Sequence, residues 1–456
     1  MQVEQHKTLA AQTVSLPVLW TNIQAKIIGR KFVQQVGILT ISNLIGAALS
    51  FVQGILVARW LGPELYGVAA LVMSYPNVVY TFFDARSIEA SVKFLSEFHG
   101  RNERERVLAI CKLGYAVDFA IASMSVLVVV ISAPWAARSV ASRPEAAWLI
   151  IVYTVAFIPR AMAGTSYSVL ATLGKFSLVA TVEIVASVLR AALVIGLVLA
   201  GWQVAGVVWG NAIALIATGL FYGVLAWVLM HRTWGASPFQ GNWQHLKGRR
   251  REILGFLAYN DLNALLSMIP KQMDVVVLGY FRNPAEVGYY KLAKSLSSAT
   301  AYLTGPLQWV TYPQLIQLCN LEQRQNLYRK VRRLAMQVGL PLGLAVLAGM
   351  LFIPIVVPLL VGDSYRPAVV PTQLLLVGSA FSIAFFWLRP LYLAQGALKV
   401  WVTISAIVVG LSVIGFLTVI PLWGFRGLAT LLVLMNLAAN LMAAIYLMRR
   451  RALRIS

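Results

Sequence analysis

Charge is scarce in this chain. Only 12% of its 456 residues are charged and 59% are hydrophobic. That excludes an ordinary soluble domain, in which roughly a quarter of residues are charged. Cysteine is nearly absent: Cys111 and Cys319 are the two present, and their spacing supports neither a disulfide framework nor a zinc site. The four histidines, His6, His99, His231 and His245, all fall in expected tails or loops, so no intramembrane imidazole is available as the base of an acyltransferase. No GxxxxGK[ST] loop occurs, which argues against ATP hydrolysis by the chain itself. No acidic cluster suited to magnesium and a nucleotide-sugar appears. Asp84 with Glu89 comes nearest, and both fall within an apolar run. These absences point away from an enzyme and from any metal or cofactor.

Long apolar runs are what the chain does have. Stretches near the ~20 residues that cross a bilayer as helix recur at about 34–57, 66–92, 108–133, 146–170, 176–200, 204–230, 252–281, 286–315, 334–361, 368–396, 399–421 and 425–448. The expected fold is an all-α integral membrane protein of about 12 helices. A net charge of +22 invites a nucleic-acid reading, but the placement of the charges argues against it. Of 38 Lys and Arg, 25 fall on the side of the two tails. Six fall opposite: Arg59, Arg138, Arg143, Arg282, Arg366 and Arg426. This asymmetry is the positive-inside pattern. It puts both termini in the cytoplasm and assigns most of the basic excess to topology and anionic membrane lipid. Residues 1–33 lack a continuous apolar core and read as a cytoplasmic tail, not as a signal peptide.

The chain also says nearly the same thing twice. VARWLGPELYG, ending at Gly67, and LGYFRNPAEVG, ending at Gly288, align without a gap at an offset of 221 residues. The same offset carries Trp202 and Gly206 onto Trp423 and Gly427. Homologous halves in a membrane chain are the signature of a transporter with its site at the repeat interface. Six spans per half make the repeats parallel. The expected organisation is a tail 1–33, a six-helix bundle 34–230, a cytoplasmic linker 231–251, a second bundle 252–448 and a basic tail 449–456.

Polar residues inside the spans form stripes. Asn260, Asn263, Ser267, Lys271 and Asp274 advance in steps of three and four, which is one helix face. Thr40, Asn43, Ser50 and Gln53 do the same in the first span. The repeat offset carries Ser50 onto Lys271 and Gln53 onto Asp274. Two readings fit these stripes: hydrogen bonding between helices, or the lining of a shared cavity. The charges on the seventh span favour the cavity. Seven cations fall inside spans: Arg86, Arg160, Arg190, Lys271, Lys291, Lys294 and Arg389. Each costs at least ~2.5–3.5 kcal/mol at the centre of a bilayer, so most are expected to face a cavity or a partner. Arg86 with Glu89, Glu183 with Arg190, and Lys271 with Asp274 read as local pairs. Lys291 and Lys294 read as side chains reaching out of the near end of their span. Arg160 follows Pro159 and Arg389 precedes Pro390, and prolines suit helices bordering a cavity. A cationic cavity calls for an anionic ligand, and the planar arginine fork suits phosphate.

VARWLGPELYG, QMDVVVLGYFRNPAEVGYYKLAKSL and FFDARSIEASVKFL resemble the polysaccharide-export flippases, the Wzx-like branch of the superfamily that contains the MATE multidrug antiporters. The likeness runs in order over about 34–448. The major-facilitator loop pattern Gly-x-x-x-Asp-Arg-x-Gly is absent from HGRNERERV, where it would fall. The resemblance implies a MATE-like, V-shaped pair of six-helix bundles in the bacterial inner membrane. It implies alternating-access transport of a polyprenyl-diphosphate-linked oligosaccharide to the outer leaflet, for O-antigen, capsule or exopolysaccharide. On that reading Arg86, Arg160, Arg389 and Lys271 bind diphosphate or acidic sugar, and Asn43, Gln53, Asn260 and Asn263 bind sugar hydroxyls. Asp274, Glu183 and Glu89 are candidates for a coupling proton or sodium ion. A polysaccharide polymerase and a chain-length regulator are candidate partners; nucleic acid is not. A MATE-like drug antiporter and a polymerase or ligase of lipid-linked sugars are the alternatives. The former calls for an acidic cavity, and the latter for a large outer loop.

Overall fold

The computed structural model describes residues 16–83, 87–249, 251–253, 255, 272–320 and 324–452. Among them the regular structure is helical throughout. Seven stretches are long and apolar enough to cross a membrane. Three of these seven are each divided by one sharp backbone turn. Leu16–Phe83 breaks at Gly62 (φ 71°, ψ 173°), giving α1 (16–61) and α2 (63–83, resuming as Ser87–Gly100). Phe176–Trp234 breaks at Gly201–Gln203, giving α5 and α6. Leu398–Ala452 breaks at Gly424 (φ 56°, ψ −145°), giving α11 and α12. Between these lie α3 (Arg104–Ser139), α4 (Ala147–Thr172 in three short pieces), α7 (Gln272–Phe281), α8 (Pro284–Ser298 and Ala301–Asn320), α9 (Arg324–Val361) and α10 (Val369–Ala384 and Leu388–Ala394). The count agrees with twelve spans. Several bounds differ from the sequence expectation. The expected tail 1–33 is helical from Leu16, with Pro17 in the first turn, where proline's missing N–H costs nothing. At 1.5 Å per residue α1 is about 70 Å long, more than twice the hydrocarbon thickness.

The repeat is visible in the backbone. Gln203 and Gly424, one repeat offset apart, adopt nearly the same rare conformation (φ 46°, ψ −124° for Gln203). The two halves meet through their repeated motif. A methyl group built on Gly67 of α2 would overlap the carbonyl of Pro284, and one built on Gly288 of α8 would overlap the carbonyl of Pro63. Adding 221 turns the first contact into the second with the partners exchanged. That reciprocity is what a local twofold axis between α2 and α8 requires. Glycine is needed at both positions because backbone meets backbone there.

Around this seam lies one continuous apolar core. It runs from Val68, Leu71 and Val72 through Val275, Leu278, Val287 and Tyr290 to Phe416 and Leu428. A second core fills the first half near its basic end, around Phe94, Phe98, Leu108 and Met230. The linker segments Pro238–Gln240 and Trp243–Arg249 pack on α3. Arg249 pairs with Glu97 and Glu252 and covers the rings of Phe94 and Phe98, and Arg104 donates to the Trp234 carbonyl at 2.5 Å.

Candidate functional site

A cavity of about 370 Å³ opens between α1 and α8, lined by Leu44, Ser50, Phe51, Ser295, Ser298 and Tyr302. Ser50 lies twelve residues from the Gly62 turn, which at the helical rise is about 18 Å. That depth is near the middle of a bilayer core, where repeat-built transporters place their substrate sites. Arg190 of α5 reaches this wall. Its Nη2 donates to Ser50 Oγ at 3.3 Å and lies 3.5 Å from Ser187 Oγ.

Other first-half groups converge behind Arg190. The buried Tyr153 hydroxyl accepts from Asn77 Nδ2 at 3.2 Å. The Tyr222 hydroxyl donates to Glu183 Oε1 at 2.7 Å. The backbone aims Arg160. The α4 helix is interrupted at Ala156 and again at Ala161, so Phe157–Arg160 is one short turn. Gly219 of α6 packs directly against the Pro159 carbonyl and the Arg160 backbone. On the far side, Asp118 of α3 accepts from the Thr165 N–H at 3.0 Å and its Oγ1 at 2.7 Å. The expected Glu183–Arg190 pair does not form. Glu183 is taken by Tyr222 and Arg190 by serines, and among the described residues neither guanidinium has an ion-pair partner.

In the second half the fully buried Asp274 is the centre. Its Oδ1 accepts from the Val275 N–H at 2.8 Å, and its Oδ2 from Tyr290 OH and from Lys294 Nζ, the latter at 2.5 Å. Lys294 therefore does not reach out of its span as expected. It turns inward because a buried carboxylate needs a cation more than the side chain needs the surface. Both carboxylate–tyrosine bonds cross a hairpin. Asp274 and Tyr290 are equidistant from residue 282, and Glu183 and Tyr222 straddle Trp202–Gln203. Reflection about those turns was the signal that would have found both tyrosines. Asp118 had none, because nothing nearby in sequence marks it.

The remaining expected site residues are dispersed. Asn43 is exposed, and Gln53 is half-buried with its Oε1 buried and lacking a partner among the described residues. Glu89 is exposed. Arg389 is exposed on Leu388–Ala394, a segment that packs toward α8 and the start of α9 and stands apart from Arg160. Arg86, Asn260, Asn263 and Lys271 lie outside the described residues. Arg282, expected only as a topology signal, donates to the Ile420 and Pro421 carbonyls at 3.2 and 2.9 Å and so caps α11.

The helical membrane fold, with its repeated motif at the seam, is shared with known structures. An inward-facing MATE-family multidrug resistance transporter of the MOP superfamily superposes with a TM-score of 0.70 at 17% identity, covering 90% of this chain and 96% of that one. The lipid II flippase MurJ, in an inward closed conformation, gives 0.67 at 14% identity, covering 90% and 87%. The MATE transporter VcmN of Vibrio cholerae gives 0.60 at 18% identity, covering 93% and 97%. The family model for polysaccharide biosynthesis proteins matches residues 32–319, and the chain belongs to that family. It is also 21% identical over 316 residues to the inner membrane protein YghQ of Escherichia coli (strain K12), covering 67% of this chain and 86% of that protein.

Proposed function

We propose that this protein moves a polyprenyl-diphosphate-linked oligosaccharide from the cytoplasmic to the outer leaflet of the inner membrane, for assembly of a surface polysaccharide. The observation that carries this reading is Arg190, an intramembrane guanidinium with no carboxylate partner among the described residues, whose Nη2 donates to Ser50 Oγ at the cavity wall. A guanidinium held inside a span without a carboxylate is costly unless an anion visits, and diphosphate matches its fork. Membership of a polysaccharide biosynthesis family supports the sugar part of the cargo.

In this scheme the headgroup enters the cavity while the prenyl tail stays in lipid. Arg190 joins Arg160, Arg86, Arg389 and Lys271 as an anion ligand, and Asn43, Gln53, Asn260 and Asn263 hold sugar hydroxyls. The basic end faces the cytoplasm. The seam of Gly67 and Gly288 then closes the outer end, as in an inward-facing state. Each negative charge leaving a negative interior gains ~2.3 kcal/mol per 100 mV, so an exported diphosphate has a driving force without ion coupling. Were a proton or sodium ion coupled, Asp274 is placed to take it in exchange for Lys294, with Glu183 and Glu89 as further candidates. A polymerase and a chain-length regulator would act on the delivered units.

The test is reconstitution. Proteoliposomes carrying a fluorescent undecaprenyl-diphosphate oligosaccharide are assayed for exposure of the headgroup to an impermeant quencher. Wild type is expected to equilibrate the leaflets, and Arg190→Ala and Arg160→Ala to slow this at least tenfold with normal insertion. Equal rates for all three, or transport of organic cations instead, would overturn the assignment.

A further inference from the structure

The two halves treat their basic ends differently. In the first half five of the cations there are met by carboxylates: Arg101 and Arg249 by Glu97, Arg106 by Glu103, Arg104 by Glu105, and Lys93 by Glu252. The matching end of the second half has no such neutralisation. There α9 begins with the short helix Arg324–Leu334, RQNLYRKVRRL. Leu327 and Val331, four residues apart and buried, pack on Leu315 and Leu391. The opposite face carries Arg329, Arg332 and Arg333, all exposed, and the half-buried Lys330. Among the described residues none of the four has an ion pair or hydrogen bond through its side chain. Sequence shows why. From Arg324 to the end of the chain there are thirteen Lys and Arg and one acid, Asp363, and Asp363 pairs with Arg366 at 2.9 Å in the connection to α10. Glu322, which precedes the helix in sequence, lies outside the described residues. Leu447 packs in the same cluster as Leu327, and Arg449, Arg450 and Arg451 follow it in sequence.

We propose that this face of α9 is a binding site for anionic phospholipid headgroups. The helix meets the span that follows it, Leu340–Met350, through a five-residue wide turn, Ala335–Gly339. Its cations therefore sit at the membrane boundary, where clusters of four to eight Lys and Arg recruit acidic lipid. Tyr328, exposed on the same helix, is a residue type that favours the interface. A lipid headgroup supplies the anion that the chain itself does not. The proposal does not rest on the nature of the cargo. It rests on this end facing an anionic leaflet.

The test uses the full chain, purified in detergent and titrated with phosphatidylglycerol or phosphatidylcholine, with bound lipid counted by native mass spectrometry. Juxtamembrane cations each strengthen such binding by about fivefold. The R329Q/K330Q/R332Q/R333Q protein is therefore expected to lose at least tenfold in phosphatidylglycerol affinity, and the lysine version R329K/R332K/R333K to keep most of it. The first-half control K93Q/R101Q/R106Q should bind as wild type does. Among the described residues the four α9 side chains make no ion pair or hydrogen bond, so the α9 variants are expected to elute as wild type on gel filtration, and elution of the first-half control is checked in the same way. Unchanged phosphatidylglycerol binding in the glutamine variant would overturn the proposal. So would a wild type that does not distinguish the two lipids, and an acidic protein segment would then become the partner to seek. Flipping activity plays no part in the readout, so the two proposals can fail separately.

Discussion

The seam between α2 and α8 makes a demanding prediction. A methyl on Gly67 would lie 2.7 Å from the carbonyl carbon of Pro284, and one on Gly288 would lie 2.9 Å from that of Pro63. Both are inside the 3.4 Å at which ordinary contact begins. The obstacle is backbone, which cannot swing aside as a side chain can. Relief therefore requires the two helices to part. Overpacking of this kind costs about 1–3 kcal/mol, or roughly 5- to 150-fold in a two-state equilibrium. Gly67→Ala and Gly288→Ala should each shift the protein by that factor toward a state in which this end is open. Because they act on one seam, the double variant should shift it by less than the product. The assay is a distance distribution between spin labels at Trp60 and Phe281, both exposed beside the seam. A longer component should grow in each variant. The helix-propensity effect runs the other way, since alanine favours a helix by up to ~1 kcal/mol over glycine. Unchanged distributions with raised thermal stability would refute the seam as a closure between lobes.

Other consequences follow from single contacts. Asp274→Asn leaves the Lys294 ammonium without its carboxylate. Because that side chain keeps partial exposure, the loss should fall near 3 kcal/mol, the low end for a broken buried pair; thermal unfolding in detergent checks it, and adding Lys294→Met should recover most of the loss. Tyr222→Phe removes the hydrogen bond to Glu183 and should cost about 1 kcal/mol, measured the same way. The Arg249 hydrogen bond holds the Glu97 carboxyl below its usual range, helped by the charges of Arg249, Arg101 and Lys93 against a smaller cost of burial. A depressed carboxyl stabilises docking of the linker above the ordinary carboxylate range, and that support is lost as pH falls through the depressed value. Protection of the 235–249 amides from hydrogen exchange, taken relative to the intrinsic rate at each pH, should therefore be high at neutral pH and fall on acidification. In Glu97→Gln that protection should be low at both pH values.

Much of this was legible in the chain. Hydropathy and the repeated Pro–Gly motif pointed to an all-helical membrane fold and to the reciprocal seam at Gly67 and Gly288, because those signals come from the bilayer and from duplication and do not depend on packing detail. Site pairing was less legible. Arg86–Glu89 and Glu183–Arg190 were read along one helix, yet Glu183 found its partner across a hairpin, at Tyr222. Lys294 was read as reaching outward because no acid is near it in sequence; Asp274 is twenty residues away and reached by folding back. Asp118 was invisible, since its role is to hold Thr165 beside the break that carries Arg160. Contacts within a helix follow from spacing, whereas contacts across helices need the turns located first.

The most direct measurement is the leaflet in which lipid-linked oligosaccharide accumulates in cells lacking this protein, compared with cells carrying wild type or Arg190→Ala. The account predicts accumulation on the cytoplasmic side with loss of surface polysaccharide. Wild type should restore export, and a well-expressed Arg190→Ala should not. Repeat units that still reach the outer leaflet but go unpolymerised would contradict it, as would a phenotype confined to drug sensitivity.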